Sequence, residues 1–435
     1  MRINTRNSIA STLATATCAL LGVASTAAVD AEETWEFDTA LLYYGEDNNR
    51  VQDFSFNLLT RRNFVDDRLL TLSLAVDSLT GATPIGAIQF DGPQTFTRPS
   101  GLAVYTTPAN EIPLDNSFLD TRYAISGSWQ QPLGRTMTIN GGLSVSTEYD
   151  YQHLGANLRL AKDFNKKNTT ASLALAFATD DMDPVGGAPD PLSPMLDVDD
   201  LSNRMGDQNK EVVDVVLGLT QVMSRNLLMQ FNYSYSNATG YLTDPYKVVS
   251  LVDPGFGDPV PRLPTPGVDG PSHEYRFESR PDERTKHSGF VQAKYYMNGK
   301  VLDASYRYMT DDWDIDSHTV DLRYRWPIGD RSYLEPHVRY YLQSHADFYR
   351  PSLDNSVALP EFASADYRLG EFDAFTVGLK YGWTTSSGNK WSARLEYYST
   401  DGSVPDNLLI GSQGGREIYP NLTAIIAQFS YHFGF

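Results

Sequence analysis

The sequence predicts an all-β fold, a single transmembrane antiparallel β-barrel of about 16 strands with short periplasmic turns and long extracellular loops. Three observations carry that expectation. The last residues, Pro420 to Phe435, contain no Asp, Glu, Lys or Arg; Ile425, Ala427, Phe429, Tyr431, Phe433 and Phe435 alternate with Gln428, Ser430, His432 and Gly434. Successive strand side chains point to opposite faces, so this is a strand apolar on one side and polar on the other. Next, 26 Tyr, 20 Phe and 6 Trp make the chain 12% aromatic, yet its mean hydropathy is only -0.36. That suits a wall with lipid outside and water inside better than the buried apolar segments of a large soluble protein. Finally, past the N-terminal region no run of about eighteen apolar residues occurs, so a membrane crossing would have to use strands.

The chain begins with Arg2 and Arg6, then an uncharged Ala-, Thr- and Leu-rich run from Asn7 to Val29 and small-residue cleavage options at Ser25-Thr-Ala27-Ala28 and Val29-Asp-Ala31. Residues 1–31 are therefore read as a secretory signal peptide and 32–435 as the barrel. The one cysteine, Cys18, lies in that run, with Thr15 and Thr17 where a lipoprotein site needs Leu and a small residue. A mature chain without cysteine has no disulfide, thiolate nucleophile, cysteine-held cluster or covalent haem. The net charge of -19 argues against nucleic acid as a partner. It is compatible with an outer surface bridged to lipopolysaccharide by divalent cations, and outer-membrane lipid is the expected surrounding.

The strands follow in order. Trp35–Gly45 and Arg50–Thr60 form a first hairpin in which Phe54, Phe56 and Leu58 alternate with Asp53, Ser55 and Asn57. The third strand, Leu69–Leu79, sets Leu70, Leu72, Leu74 and Val76 against Thr71, Ser73 and Asp77. Alternation then lapses over 80–116 and resumes near 117–130, 136–148, 151–163 and 169–179. The Asp-rich connection 180–209 is followed by strands at 210–222 and 226–239, and the Pro-rich connection 240–284 by strands at 286–297, 300–310, 314–326 and 331–346. Connection 347–369, strands 370–385 and 389–400, loop 401–419 and the closing strand complete the chain. With a periplasmic start, every long connection falls on the outward side and every inward turn is short, as in barrels of even strand number. Both termini are then periplasmic and the location is the bacterial outer membrane, which implies a Gram-negative cell. Phe429, Tyr431, Phe433 and Phe435 mark the barrel-closing strand that the barrel-insertion machinery would read. Among the prolines, only Pro336 falls inside a proposed strand, consistent with the missing ladder donor.

Stretches spread over the chain carry a resemblance: YYGEDNNRV (43–51), DSLTGATP (77–84), PQTFTRPSG (93–101), PLDNSFLDTR (113–122), EYDYQHLGAN (148–157), YSNATGYLTDPYK (235–247), YRFESRPDERTKHS (275–288) and PHVRYYLQSHADFYR (336–350). They resemble the bacterial domain-of-unknown-function 3570 family of outer-membrane barrels. The resemblance implies location and fold but no activity and no catalytic residues. Members resemble components of gene clusters with a small lipoprotein, a thioredoxin-like protein and a flavin transferase, which implies a redox or lipoprotein partner as one expectation.

Alternation also nominates an inward charged wall: Asp303, Arg307, Asp321, Arg323, Arg325, Glu335, His337, Arg339, Arg394 and Glu396. The bland account is mutual neutralisation of neighbouring charges on a barrel wall; the sharper one is a selectivity surface for polar solutes. A metal site of Glu335, His337 and His345 fails on spacing, because eight strand residues separate the histidines by about 27 Å. Asp197, Asp199 and Asp200 are a candidate calcium-binding set, against the reading of a solvated acidic loop; they lack the order of an EF-hand. No other cofactor is expected. No GxSxG, HExxH or P-loop pattern occurs, so an outer-membrane enzyme is only the third reading. The first is a porin-like channel or channel-like sleeve for small polar solutes, and the second a scaffold barrel for a periplasmic or lipoprotein partner.

Overall fold

The structure is a computed structural model that describes residues 33–48 and 50–435; the expected signal segment 1–31 lies outside the described residues. Sixteen strands close into one barrel. They are β1 (Thr34–Glu46), β2 (Gln52–Asn63), β3 (Leu69–Pro84), β4 (Leu114–Pro132), β5 (Met137–Thr147), β6 (Tyr151–Phe164), β7 (Thr169–Met182), β8 (Gln208–Val222), β9 (Leu227–Gly240), β10 (Glu283–Met297), β11 (Lys300–Asp311), β12 (Asp316–Ile328), β13 (Ser332–Gln343), β14 (Glu371–Thr384), β15 (Lys390–Ser403) and β16 (Thr423–Gly434). Each pairs antiparallel with its neighbours in sequence. Closure comes from β16 on β1, in register from Glu36 opposite Gly434 to Glu46 opposite Ala424.

The apolar alternation faces out. Phe54, Ile125, Leu143, Phe177, Leu217 and Val320 are all exposed, which a strand tolerates only against lipid or a partner. Around the seam the outward rings stack: Phe37 on Phe433 at 4.9 Å, Tyr431 on Phe433 at 5.1 Å and Trp391 on Tyr431 at 3.9 Å between ring centroids. The aromatic-x-aromatic terminus thus zips the last strand to both neighbours, and Phe435 exchanges two backbone hydrogen bonds with Trp35 at 2.8 and 2.9 Å.

All the long connections lie at one end, with a few short turns among them, and the other end has short turns alone. The short ones include 64–68, 133–136, 298–299 and 385–389; the long ones are 85–113, 183–207, 241–282, 344–370 and 404–422. Several strands run further toward the long-loop end than alternation suggests, so Pro84 becomes a terminal strand residue, and at the short-turn end β4 runs on to Pro132. Others are shorter, and β13, expected to reach 346, stops at Gln343. His345 therefore lies in a loop, its ring nitrogen 2.9 Å from the Ala346 carbonyl, and not on the inward face of a strand.

The long loops fold together. Val248–Val252 pairs antiparallel with Tyr275–Phe277 and parallel with Ser352–Asp354, so two loops far apart in sequence share one small sheet. Beneath it Ile85, Ala87, Phe96, Met195, Val248, Tyr275 and Phe277 form an apolar core, and Trp313, Ile315, Ala346, Phe348, Tyr349 and Leu369 form another. A barrel lined by polar side chains has no dry core of its own; here the dry cores belong to a cap built from loops.

Candidate functional site

Three adjoining parts make up the site: a strap across the lumen, a charged wall and an open chamber.

The strap is the start of the longest loop, residues 241–247. At one end Leu242 packs on the inward Ala178, Val212 and Ala238 of β7, β8 and β9. At the other, Tyr246 packs on Val51 and Leu79 beside β2 and on β3. Its hydroxyl donates to the Asp150 carboxylate, and the Lys247 ammonium donates to the Pro84 carbonyl. Seven residues thus run from one wall to another several strands away. Midway, Asp244 takes a hydrogen bond from Arg368 Nη2 at 2.9 Å, while its backbone N–H donates to Glu278 Oε1 at 2.6 Å. Arg280 closes the group, 2.6 Å from Glu278 and 2.8 Å from Asp366. Asp244, Glu278 and Asp366 are only 1–3% exposed. Burial alone would raise the Asp366 carboxyl, but Arg368, Lys247 and Arg280 outweigh it and hold the group well below the carboxylate range. Burial pushes Glu278 up. Where the strap lands, burial pushes Asp150 to about 6, against the opposing Tyr246 hydrogen bond, and the neighbouring Glu148 to about 9, with the Asp120 charge adding to burial.

The charged wall starts from period two. On β12, Asp321, Arg323 and Arg325 point inward between Val320, Leu322, Tyr324 and Trp326; on β13, Glu335, His337 and Arg339 do the same. His337 Nε2 lies 2.9 Å from Asp321 Oδ2 and His337 Nδ1 lies 2.8 Å from Glu396 Oε1. Only the doubly protonated ring can donate to both carboxylates at once. The bond to Glu396 spans two strand spacings and requires an empty place between. Gly378 of β14 stands in register with both His337 and Glu396, and Glu396 lies over it so closely that an added Cβ would sit 2.4 Å from its Cγ. Gly382, two turns of the pleat lower, makes the same space for the Tyr333 ring. Arg325 donates to Glu335 at 2.8 Å and lies over Tyr333. Asp303 accepts from Gln292 at 2.7 Å with Lys294 at 3.4 Å. Arg307 covers Phe290, Arg323 is 3.3 Å from Asp321, and Arg394 is 3.7 Å from Glu396. Arg339 stands in register opposite Asp321 and is exposed.

One group went unread in the sequence. Asp180 lies on β7, not in the acidic loop, and is held between His153 at 2.6 Å and Lys210 at 2.9 Å. It follows from extending period two by a few residues, which the acidic run around it obscured. Asp77, on the polar face of the third strand as alternation places it, pairs with Arg122 across β3 and β4 at 2.5 Å. The proposed calcium set is spent differently: Asp197 accepts from Arg262 and, at 2.6 Å, from Thr265, and Asp200 accepts from the Ser202 N–H at 3.1 Å. Among the described residues no three His, Cys, Asp or Glu side chains are grouped to hold a metal ion.

The chamber lies below the cap, about 1110 Å³, and every residue around it belongs to a barrel strand. Its lining reaches Tyr333, Thr384 and Lys390 at the short-turn end. Exposure locates the mouth. Inward groups by the cap are shut away, with Asp180 at 1%, Asp214 at 4% and Lys210 at 5%. The side chains of Arg325 and Lys294, nearer the turns, are 47% and 49% exposed. The lumen is a cup, its inward groups covered by loops at one end and accessible at the other.

An exposed aromatic belt, an even number of strands closed end to end and a polar interior define an outer-membrane β-barrel, here with a folded cap. The chain belongs to the family described as "Protein of unknown function (DUF3570)", which it matches over residues 10–433. No curated protein matches the sequence. Among solved structures, the siderophore receptor PirA from Acinetobacter baumannii aligns with 9% identity and a TM-score of 0.41 over 86% of this chain and 54% of that one. The CymD monoaromatic hydrocarbon channel aligns with 9% identity and a TM-score of 0.38 over 94% and 89%. The outer-membrane protein opdK from Pseudomonas aeruginosa gives 8% identity and 0.38 over 93% and 99%. The chain spans about half the length of the receptor it matches.

Proposed function

We propose that the protein is a gated conduit, a channel-like sleeve for small polar solutes that rests with its outer end shut. The observation that carries this reading is the strap: residues 241–247 cross the lumen at the base of the cap, above a charged chamber, and they are held by contacts at discrete points. The cap is placed outside the cell and the chamber mouth in the periplasm, following the short-turn rule for such barrels; the same rule puts both termini in the periplasm. Ion pairs between β11 and β15 then serve as a selectivity wall.

Planar-bilayer conductance tests it. The intact chain is expected to conduct little, and replacing 241–247 by a short Gly-Ser link, with the loop otherwise kept, is expected to raise single-channel conductance at least tenfold. A strap-less barrel that remains folded and closed at every voltage would sink the conduit. In that case the scaffold reading, a barrel whose periplasmic cup holds part of a lipoprotein or redox partner, would take its place, and a partner retained through gentle solubilisation would be its signature.

A further inference from the structure

The charge of the chamber is opposite to that of the chain. Four cations line it, Arg122, Arg325, Lys380 and Lys390, against the one carboxylate of Asp38, in a protein whose net charge is -19; Arg122 is paired with Asp77 and Arg325 with Glu335 from outside the lining, which leaves the two lysines as the excess. Asp38 is itself engaged, by His432 at 2.8 Å and Arg61 at 3.1 Å.

Two of these cations, Arg325 and Lys380, belong to one row of the strand register, which Arg394 extends next to the lining. Glu335 of β13 stands opposite Lys380 of β14, and Lys380 stands opposite Arg394 of β15; Arg325 of β12 completes the row through its 2.8 Å bond to Glu335. Three cations therefore meet two carboxylates, Glu335 and Glu396; Arg394 is 3.7 Å from Glu396, which is also bonded to His337. Among the described residues no carboxylate lies within salt-bridge distance of Lys380 or of Lys390, which faces the mouth one strand end below. A lattice built only to neutralise itself would match its signs. This row leaves positive charge facing water in a low-dielectric wall, which focuses anions into the chamber.

We propose that the row Arg325, Lys380 and Arg394, with Lys390 at the entrance, is a binding site for a small multivalent oxyanion, a phosphate- or carboxylate-bearing solute entering from the chamber mouth. The guanidinium groups of Arg325 and Arg394 offer planar forks to oxyanions, and the two ammonium groups add point charges that follow the ligand inward. The inference rests on the conduit reading in taking the chamber as the solute-facing compartment.

The test is calorimetric titration of the detergent-solubilised full chain at low salt with pyrophosphate and with citrate, and with spermidine as the cationic control. Binding of either anion, none of spermidine, and at least a tenfold weaker affinity in Lys380→Gln/Lys390→Gln is the expected result; the ratio of pyrophosphate to citrate tells phosphate from carboxylate recognition. Heat-modifiable gel mobility verifies that the variant barrel is folded. Absence of anion binding at millimolar concentration, or equal binding by the double variant, overturns the site. A folded barrel that binds pyrophosphate but never conducts after strap removal would lose the conduit and keep the site. One that conducts with cation preference and binds no anion would lose the site alone.

Discussion

At Arg368 one side chain holds two buried carboxylates, Asp366 and Asp244, and with them the middle of the strap. Removing a partner from a buried ionic group leaves uncompensated charge, which costs about 3–5 kcal/mol. Arg368→Gln is therefore expected to open the cap locally while the barrel survives. Limited proteolysis should cut between 241 and 282 in the variant, with the heat-modifiable barrel band retained. Gly378 is a residue whose role lies in what it lacks. In Gly378→Val the new side chain meets Glu396, so the His337 to Glu396 bond should break at an overpacking cost of about 1–3 kcal/mol. Nitrogen NMR of the His337 ring reads it directly: one ring nitrogen loses its carboxylate partner while the other keeps Asp321.

At the scale of elements, the strap's landing site is the acidic turn 148–150. Asp150, pushed up to about 6, and Glu148, pushed up to about 9, both favour their protonated forms in the fold. A carboxyl raised in the folded state contributes most below its unfolded value and loses that contribution as pH climbs through its folded value. The strap's anchorage should thus weaken from about pH 4 to 6 through Asp150 and further toward 9 through Glu148. Hydrogen exchange of 241–247, corrected for intrinsic rate, should show protection falling over that range. Asp150→Asn, which keeps an acceptor for Tyr246 but cannot ionise, should remove the pH 4 to 6 part; an unchanged profile would exclude Asp150 as its source.

For the whole molecule, what could be read in the sequence was whatever repeats with period two. Strand number, closure by the aromatic terminus and the inward set from Asp303 to Glu396 follow from alternation, because in a barrel every strand obeys the same two-sided solvent. The cap leaves no such signal. Its strands are as short as Ala188–Pro189 and Ser352–Asp354, and its cores join residues as distant as Ile85 and Phe277. Site partners were hidden for a related reason: alternation says which face His337 occupies, but its meeting with Glu396 depends on the register of three strands and on the vacancy at Gly378. Asp180 shows the same limit at a strand end, where a charged lumen residue and a loop acid look alike.

The strap also sets an order of events. Tyr246 rests on Val51 and Leu79, and Tyr367 rests on Tyr419 and Leu422, so the cap needs both the first and last strands in place before its own residues can meet. Closing contacts across so much chain is slow relative to pairing neighbours. The full set of cap contacts therefore depends on the ring being closed, and roofing the barrel is expected to be the slow, last step of its folding.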